Sequence, residues 1–585
     1  MAKSTRRRQT AAPTRTLAKL IFAAALGLRI LYLLSVRHAP FFAHLQTEPL
    51  HYDQWARLIL DGRHVPHPPF EQAPGYAYFV AAVYALCGPG TTSVALVQAV
   101  LDAMCCVLIA TAARTWFGAR AGLIAGMLAA AYGPFVYFSA EMLPATLFVF
   151  ITMLAFTASL PLGGSAALWQ PSSPRRGTAA AAEPTTGMQW GVAGCLWSLT
   201  LLVRTEAVLG WPLVLWDAWR RGGRGALLRL GVPLVCVAGA FLSLNAAYSD
   251  RLVLFTTSSG VNLWLGNNPH ADGVNPFIFG PLESVERSVR AQTTDGATAD
   301  RLFRQQALAF WRNAPGEALH LLWKKFVWTW TGRELPNSSD IDWQEAQSWL
   351  FRIPLLPLGL GVILPFAAAG AVLVAHRWRD LLLMACPLVI GVGTSLVFFT
   401  NARFRLIMAP SLLILAAVGV EQGATLLSDW RRNARALWQA GAGMTCGLIA
   451  AWGNFYAVRT YTIPQINVNI GALEREAGDF AAAVQHLRAG VAGDPSDVIG
   501  WIHLALALEQ QGQPRRAFQA YLDAAAVQPD DASLMQMAER FCQRHQLDVG
   551  LPHLYASTPD GEARGRLVAA AVERLPPDAV LPTSR

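Results

Sequence analysis

Long apolar runs separated by short polar segments are the dominant pattern along the chain. A membrane-spanning helix needs roughly 20 consecutive apolar residues, and about eleven runs approach that length. They cover residues 17–36, 91–113, 121–138, 143–162, 188–203, 207–219, 226–247, 353–375, 380–400, 404–423 and 437–457. A further apolar segment, 73–88, is short and is bounded by Pro74 and Pro89. The pattern predicts an all-α polytopic membrane protein with about eleven spans.

The positive charges between these runs indicate which ends of the helices face the cytoplasm, because cytoplasmic loops carry an excess of Lys and Arg. If 73–88 does not span and the N-terminus is cytoplasmic, every strongly basic short loop falls on one side. These loops hold Arg114 and Arg120, Arg175 and Arg176, Arg220, Arg221 and Arg224, Arg377 and Arg379, and Arg431, Arg432 and Arg435. The outer side then receives a first loop at 37–90, a large loop at 248–352 and the C-terminal region.

Composition agrees with this architecture and narrows the partners. Of the 585 residues, 53% are hydrophobic and 15% are charged, against about 25% charged in a typical soluble protein. The net charge of +9 is scattered between apolar runs, which argues against a nucleic-acid partner. The 8 cysteines show no metal-type spacing, and the histidines of the first loop do not match a zinc motif.

An internal repeat of 34 residues lies in the C-terminal region. Gly478 aligns with Gly512, and Ala483 aligns with Ala517. This period and placement are typical of tetratricopeptide repeats, α-solenoids that bind proteins on a concave face. A third helix pair at about 533–570 is expected to cap them.

The chain therefore divides into four regions. They are a basic cytoplasmic N-terminus (1–16), a transmembrane domain (17–460), the repeats (465–548) and a C-terminal tail (549–585). The segment 164–187, rich in Gly, Ser, Pro and Ala, predicts a flexible cytoplasmic loop.

Three carboxylates are candidates for chemistry, because ionisable groups beside a membrane are costly and tend to be functional. Glu48 and Asp53 lie in the first outer loop, and either can take a proton from an acceptor hydroxyl. Glu141 occupies a short outer turn between two apolar runs. The structural alternatives are a solvated loop for the first two and a helix-start acid for Glu141.

Three arginines are candidates for phosphate binding. Arg403 and Arg405 lie in an outer loop, against the positive-inside trend, and Arg204 ends another span beside Glu206. The planar guanidinium fork suits phosphate oxygens. The alternatives are lipid headgroup contacts for the pair in the outer loop and an intramolecular ion pair between Arg204 and Glu206.

The large outer loop begins with an amide-rich stretch, residues 258–269, which contains Asn262, Asn267 and Asn268. Amide side chains contact sugar hydroxyls, although the same composition also suits a tight turn.

In their order, spacing and sidedness these motifs resemble the GT-C glycosyltransferases. The closest resemblance is to bacterial relatives of protein O-mannosyltransferases and aminoarabinose transferases (glycosyltransferase family 39-like) that carry C-terminal tetratricopeptide repeats. It covers roughly residues 17–545. The matching segments are Glu48, Tyr52-Asp53-Gln54-Trp55-Ala56, Arg114-Thr115-Trp116-Phe117-Gly118, Glu141, Gly260-Val261-Asn262, Gly266-Asn267-Asn268-Pro269 and Arg403-Phe404-Arg405. The family's first acid is usually Asp, so the presence of Glu48 leaves open whether Glu48 or Asp53 is the base.

The resemblance implies a GT-C-type bundle that transfers a sugar, with inversion, from a polyprenyl-phosphate donor to a protein, lipid or glycan acceptor. The reaction would take place on the periplasmic face of a bacterial inner membrane. The expected catalytic residues are Glu48, Asp53 and Glu141; Arg403, Arg405 and Arg204 are expected to bind the donor phosphate. His51, Tyr52, Asn262, Asn267 and Asn268 are expected to bind sugar or acceptor. No cofactor is required by these motifs, and a divalent metal is allowed but not indicated.

Three other functions fit parts of the pattern. A surface-polysaccharide ligase or polymerase would use a lipid-diphosphate donor. A transporter or flippase would show inverted halves with broken helices, which the sequence does not suggest. A non-catalytic membrane anchor for the repeats would tolerate loss of Glu48, Asp53 and Glu141.

Overall fold

The computed structural model describes residues 2–63, 70–160, 187–249, 253–278, 280–336, 340–353, 358–528, 531–558, 561–575 and 578. Helices dominate this part of the chain, and its strand-like pairing is an isolated parallel bridge between Tyr132 and Leu358. The predicted all-α fold is confirmed. The predicted flexible loop at 164–187 lies, apart from Gly187, outside the described residues.

The first part of the chain supplies the N-terminal helices and the first outer loop. They are α1 (Ala2–Val36), α2 (Pro40–Ala43), α3 (Thr47–Leu60), α4 (Gly75–Cys87), α5 (Thr91–Phe117), α6 (Ala119–Ala131), α7 (Gly133–Ala140), α8 (Ala145–Ala158), α9 (Gly187–Val203) and α10 (Trp211–Ala247). The segment 73–88 forms α4, whose 13 residues are shorter than a span requires. α10 is broken at Gly223, which agrees with the two separate runs predicted at 207–219 and 226–247.

The large outer loop and the later apolar segments are also helical. The loop contains α11 (Ser259–Gly266), α12 (Pro281–Gln292), α13 (Gly296–Asn313), α14 (Pro315–Thr329) and α15 (Ile341–Ala346). It is followed by α16 (Leu360–Val374), α17 (Ala385–Val397), α18 (Ala402–Arg405), α19 (Ala409–Leu427) and α20 (Ala434–Trp452).

Five of the described helical segments are long and apolar enough to cross a membrane, by length and composition. They are Thr16–Val36, Thr91–Phe117, Thr205–Ala247, Leu360–Arg377 and Ala402–Leu427. α7 and α8, which meet at an angle of 119°, make a sixth if they are one bent span. The protein is therefore a multi-pass membrane protein. The count is lower than the predicted eleven because most of the other predicted runs form shorter or broken helices, while α20, with 19 residues, is long enough but is not among the sufficiently apolar segments.

The loops that the charges assign to opposite sides of the membrane lie at opposite ends of the helical bundle. At one end Arg221 donates to the carbonyl of Ser159 at 2.6 Å, and the guanidinium of Arg377 lies 5.3 Å from the ring centroid of Phe117. Arg221, Arg377 and Phe117 belong to segments predicted to be cytoplasmic, and Ser159 lies near the end of a predicted span. The first and large outer loops meet at the other end, where Thr257 N–H donates to the carbonyl of Phe70. α5 joins the two ends over its 27 residues, about 40 Å at 1.5 Å per residue.

A fully buried arginine fixes the end of α6. Arg29 on α1 binds Asp102 on α5 at 2.6 Å and donates to the carbonyls of Ala129 and Ala130. These carbonyls belong to the last turn of α6, where intrahelical donors run out. The ion pair therefore satisfies a helix end inside the bundle, and sequence reasoning did not single it out.

The C-terminal region is a stack of antiparallel helices packed on the outer end of the bundle. It contains α21 (Pro464–Glu476), α22 (Phe480–Gly493), α23 (Val498–Gln510), α24 (Pro514–Val527), α25 (Ala532–Arg544), α26 (Leu551–Ser557) and α27 (Gly561–Val572). Gly478 and Gly512 turn each of the first two pairs with φ of +86° and +77°, a conformation that favours glycine.

The expected capping helices extend into the segment predicted to be a tail. Leu551, Tyr555, Ala571 and Leu575 belong to the same apolar core as the repeats. α26 and α27 therefore continue the helical stack, because their apolar side chains cover its end. The tetratricopeptide assignment stays a prediction.

Candidate functional site

A cavity of about 300 Å³ opens at the outer end of the bundle. Its walls come from the first outer loop, the end of α9, the start of α11 and the segment that follows α17. Five of the eleven candidate residues line or flank it closely enough to form one site; they are Glu48, Tyr52, Arg204, Asn262 and Arg403. These residues are far apart in the sequence, and the tertiary structure brings them together.

Glu48 and Arg403 form an ion pair across this cavity. Glu48 lies in the first turn of α3, where the helix dipole favours a negative charge. Arg403 lies on the short α18, whose start is capped by the Asn401 side chain accepting from Phe404 N–H at 2.8 Å. Nη1 of Arg403 donates to Oε2 of Glu48. The Glu48 side chain keeps 29% exposure, so it remains open to a ligand.

Arg204 supplies a second guanidinium to the same wall. It lies in extended backbone just after α9 and binds Glu206 at 2.5 Å. The Phe404 ring lies between the two cations, 4.9 Å from the Arg204 guanidinium carbon and 5.4 Å from that of Arg403. Two guanidinium groups that face one cavity form a strong site for an anion. Glu48 and Glu206 neutralise them in this structure.

Tyr52 and Asn262 line the cavity from opposite loops. The Tyr52 hydroxyl donates to Oε1 of Gln72 at 2.7 Å, and burial raises the pKa of Tyr52 above its usual range, so the hydroxyl stays protonated. Asn262 lies on α11, which is held against the first loop by backbone bonds from Thr257 to Phe70 and from Ser258 to Glu71. Both residues are placed to contact a polar ligand.

Asp53 does not line the cavity. Its two carboxylate oxygens accept hydrogen bonds from the Tyr84 hydroxyl at 2.5 Å and from Nε of Arg57 at 2.8 Å. Tyr84 is on α4, so Asp53 ties α3 to α4. Of the two carboxylates left open by the sequence, Glu48 lines the cavity and Asp53 does not.

Arg405 also lies outside the cavity. It is 4% exposed, and its guanidinium binds Glu334 at 2.6 Å and the carbonyls of Thr331 and Arg333 at 2.7 Å each. These contacts use the donors that a phosphate would need. Arg405 therefore fixes the large outer loop to α18.

The side chains of Asn267 and Asn268 are turned into the protein. Asn267 Nδ2 donates to the carbonyls of Leu263 and Val397 at 2.8 Å each, and Asn268 Nδ2 donates to those of Trp264 and Leu265. They satisfy the last carbonyls of α11 and hold it against α17. They shape the cavity wall and do not line it. This outcome agrees with the turn alternative.

His51 packs beside the cavity without lining it. Its ring lies 4.3 Å from that of Trp55. Glu141 lies in the outer turn between α7 and α8 and borders a second, adjacent cavity. Burial raises the pKa of Glu141 to about 7.

Two buried charged residues beside the cavity were not predicted as site residues from the sequence. Asp300, which is 3% exposed, accepts from Gly260 N–H at 2.5 Å and Ser259 Oγ at 3.0 Å, and so fixes the turn that enters the cavity. Lys325, fully buried, donates to Oδ1 of Asn267 and to the carbonyl of Leu396 at 3.3 Å each; burial lowers the pKa of Lys325 to about 7. Asp300 lies on an ordinary amphipathic helix, so no local signal marked it. The Lys324-Lys325 pair begins a Trp-rich stretch, and this composition indicates a membrane-interface anchor.

A narrow apolar crevice leads from the two arginines into the bundle. It shares Arg204, Arg403 and Phe404 with the cavity and continues between Phe148 of α8 and Ile390 of α17. The crevice measures about 10 Å³, room for about one water molecule. Among the described residues, His, Cys, Asp and Glu side chains form no group of three or more that could hold a metal ion.

The comparison with protein families gives a match to the dolichyl-phosphate-mannose-protein mannosyltransferases over residues 67–161. This stretch runs from the end of the first outer loop through α8 and includes Glu141. The resemblance found from the motifs is confirmed by this match. A comparison with curated proteins gave no match.

Solved membrane transferases are among the similar structures. The oligosaccharyltransferase AglB from Archaeoglobus fulgidus, in complex with an inhibitory peptide and a dolichol-phosphate, superposes with a TM-score of 0.37 and 14% identity over 79% of this chain. The present chain spans 58% of the length of AglB. ArnT from Cupriavidus metallidurans, bound to undecaprenyl phosphate, gives a TM-score of 0.29 and 14% identity over 75% of this chain and 87% of that protein.

Proposed function

We propose that the protein is an inverting glycosyltransferase that uses a polyprenyl-phosphate-linked sugar and works on the periplasmic face of a bacterial inner membrane. The observation that carries the proposal is the grouping of Glu48, Arg204 and Arg403 around one outer cavity with an apolar crevice. The family match over residues 67–161 supports the same class of donor.

In this reaction the donor phosphate binds the guanidinium groups of Arg403 and Arg204. The phosphate takes the place of the Glu48 carboxylate on Arg403, and Glu48 becomes free to face the acceptor. Binding the donor and freeing the base are thus one event.

Glu48 then accepts the proton of the acceptor hydroxyl. The hydroxyl oxygen forms a bond to the anomeric carbon through an oxocarbenium-like transition state, and the bond from that carbon to the phosphate oxygen breaks. The electron pair stays on the phosphate, whose charge Arg403 and Arg204 stabilise. The products are the inverted glycoside, the polyprenyl phosphate and a protonated Glu48.

The test uses the purified full-length protein and synthetic polyprenyl-phosphate hexoses and pentoses. We expect sugar release or transfer by the wild type. Glu48→Gln should lower the rate by a factor of about 10²–10⁴, the contribution of a general base, and Asp53→Asn should keep a larger share of it. Glu317→Gln, at an exposed position on α14, is the matched control.

Three results would contradict the proposal or part of it. A folded Glu48→Gln protein with wild-type turnover would exclude Glu48 as the base. Turnover with polyprenyl-diphosphate donors only would establish the ligase or polymerase class. A wild type that binds no donor of either kind would leave the anchor for the helical repeats as the function.

A further inference from the structure

The cavity that contains Glu48, Arg204 and Arg403 is called the reaction cavity. A second cavity adjoins it at Thr47. Its walls come from the first outer loop, the turn after α7, the short α15 and α21, the first helix of the C-terminal stack. The C-terminal region therefore supplies part of a wall next to the proposed active site, and does more than extend from the membrane domain.

The first turn of α3 separates the two cavities. Thr47 borders both of them, Glu48 borders the reaction cavity, and Pro49 borders the second cavity. Thr47 has a φ of +49°, in the left-handed region that β-branched residues rarely adopt. Such strained residues concentrate at functional sites. A ligand in the second cavity lies one residue away from the proposed base.

Two polar groups of this cavity have no partner among the described residues. Gln344 on α15 is 3% exposed, and its Oε1 atom is buried without a hydrogen bond. The Glu141 carboxyl group has no side-chain hydrogen bond either, and its backbone carbonyl is the acceptor for Gln98. Leaving the buried Gln344 oxygen unpaired is energetically unfavourable. A ligand with donors and acceptors would remove that cost.

The size and the lining of the cavity limit its occupant. Most of the wall is apolar, with Phe41, Trp343 and Ile470 among its side chains. The volume is about 60 Å³, room for roughly four to six water molecules at 10–15 Å³ each on the same measure. An aliphatic side chain fits this space. A hexose, with roughly three times as many heavy atoms, does not, which argues against a glycan acceptor here.

We propose that this cavity is a specificity subsite for a polypeptide acceptor, which holds the apolar side chain next to the hydroxyl residue that receives the sugar. Gln344 and Glu141 bind the peptide backbone, and the acceptor hydroxyl reaches Glu48 over Thr47. α21 forms one side of the entrance, so the helical stack positions the peptide as well as binding it. The inference rests on the proposed function for the transfer step only.

The experiment measures peptide binding and sugar transfer separately. Short fluorescent peptides with one threonine, preceded by leucine or by glycine, are bound to the full-length protein in nanodiscs and followed by fluorescence anisotropy. We expect the leucine peptide to bind about tenfold more tightly. In Gln344→Leu that preference should remain while both peptides bind about tenfold more weakly, and the exposed Gln347→Leu should match the wild type.

A cross-linking experiment uses no variant of the protein, so its result does not depend on how variants fold. A photoreactive leucine in the same peptide should attach to segments that contain Trp343 or Ile470. Equal binding of both peptides, or cross-links confined to other segments, would overturn the subsite. Hydrolysis of the polyprenyl-phosphate hexose without peptide is measured in parallel. If it fails while the leucine peptide still binds at the subsite, the proposed transferase function is at fault and the subsite stands.

Discussion

The carboxylate of Glu48 is paired with the guanidinium of Arg403, 355 residues further along the chain. One residue begins a helix of the first outer loop, and the other lies just before a late span. In the proposed reaction these two groups separate when the donor phosphate arrives. The pair keeps both charges compensated in the empty cavity, since an uncompensated charge in a partly buried site is costly.

Replacing Arg403 should weaken donor binding without unfolding the protein. Arg403→Lys keeps the charge but loses the planar fork that binds phosphate in a bidentate manner. We expect the donor KM to rise roughly tenfold or more, since a hydrogen bond to a charged group contributes about 1.5–3 kcal/mol. Steady-state kinetics with a polyprenyl-phosphate hexose measure this, and Arg312→Lys, exposed on α13, is the control. An unchanged donor KM would remove Arg403 from the phosphate site.

Replacing Arg405 should act on stability. Arg405→Met leaves Glu334 buried without its partner, and breaking a buried ion pair in this way costs about 3–5 kcal/mol. We expect a lower melting temperature, measured by thermal unfolding in detergent. The double variant Arg405→Met with Glu334→Met should recover part of the loss, because no lone charge remains. A stable Arg405→Met protein with impaired donor binding would instead return Arg405 to the phosphate site.

Gly266 should be intolerant of even a methyl group. An added Cβ atom at this position would collide with the backbone carbonyl of Phe398, and Phe398 lines the reaction cavity. We expect Gly266→Ala to lower transfer at least tenfold by displacing this wall. Gly191→Ala on α9, where a Cβ atom meets nothing within 4 Å, should be neutral or slightly stabilising. Equal activity of the two variants would show that the wall adapts.

Stability should fall as the pH rises, in part because of Glu345. Burial, with Glu334, Asp342 and Asp340 nearby, raises the pKa of Glu345 to about 8, whereas an unfolded Glu titrates at about 4.3. Between these values the folded state holds a proton that the unfolded state has lost, so the free energy of unfolding decreases with pH. Glu345→Gln should raise the melting temperature at about pH 9 more than at about pH 5. Glu317→Gln, an exposed control, should change neither, and a uniform shift with Glu345→Gln would contradict the assignment.

The sidedness can be tested by cysteine labelling in intact cells. The background replaces the exposed cysteines Cys87, Cys195, Cys236 and Cys446 by alanine. A membrane-impermeant maleimide should label Ser284→Cys on α12 in intact cells, and should label Ser428→Cys, after α19, only after lysis. The opposite pattern would reverse the orientation and place the reaction cavity in the cytoplasm.

Several predictions from the sequence depended only on properties that a single segment of the chain carries. The apolar runs predicted helices because a segment within a membrane must satisfy its own backbone hydrogen bonds, and a helix does so. The 34-residue period predicted a helical stack, and Gly478 and Gly512 mark its turns. Within the segment assigned to the tail, α26 and α27 are helical, and their apolar side chains cover the end of that stack.

The candidate residues show what local sequence patterns do not predict. Glu48 and Asp53 are both carboxylates and lie five residues apart, and the two arginines Arg403 and Arg405 lie two residues apart. One member of each pair faces the cavity and the other holds two elements together, because a helix turn rotates neighbouring side chains to different surroundings. Asn267 and Asn268 have the residue type for sugar binding, but the carbonyls at the end of α11 use their amide donors.

The sequence by itself determined that this protein is helical, spans a membrane several times and carries a helical appendage. These properties follow from hydrophobicity, charge and period, which each segment carries alone. Only the tertiary structure decided that Glu48, Arg204 and Arg403 share a cavity, that Asp53 and Arg405 do not, and that α21 borders the second cavity. Those relationships arise from packing between segments hundreds of residues apart, where burial and hydrogen-bond satisfaction select one arrangement among many.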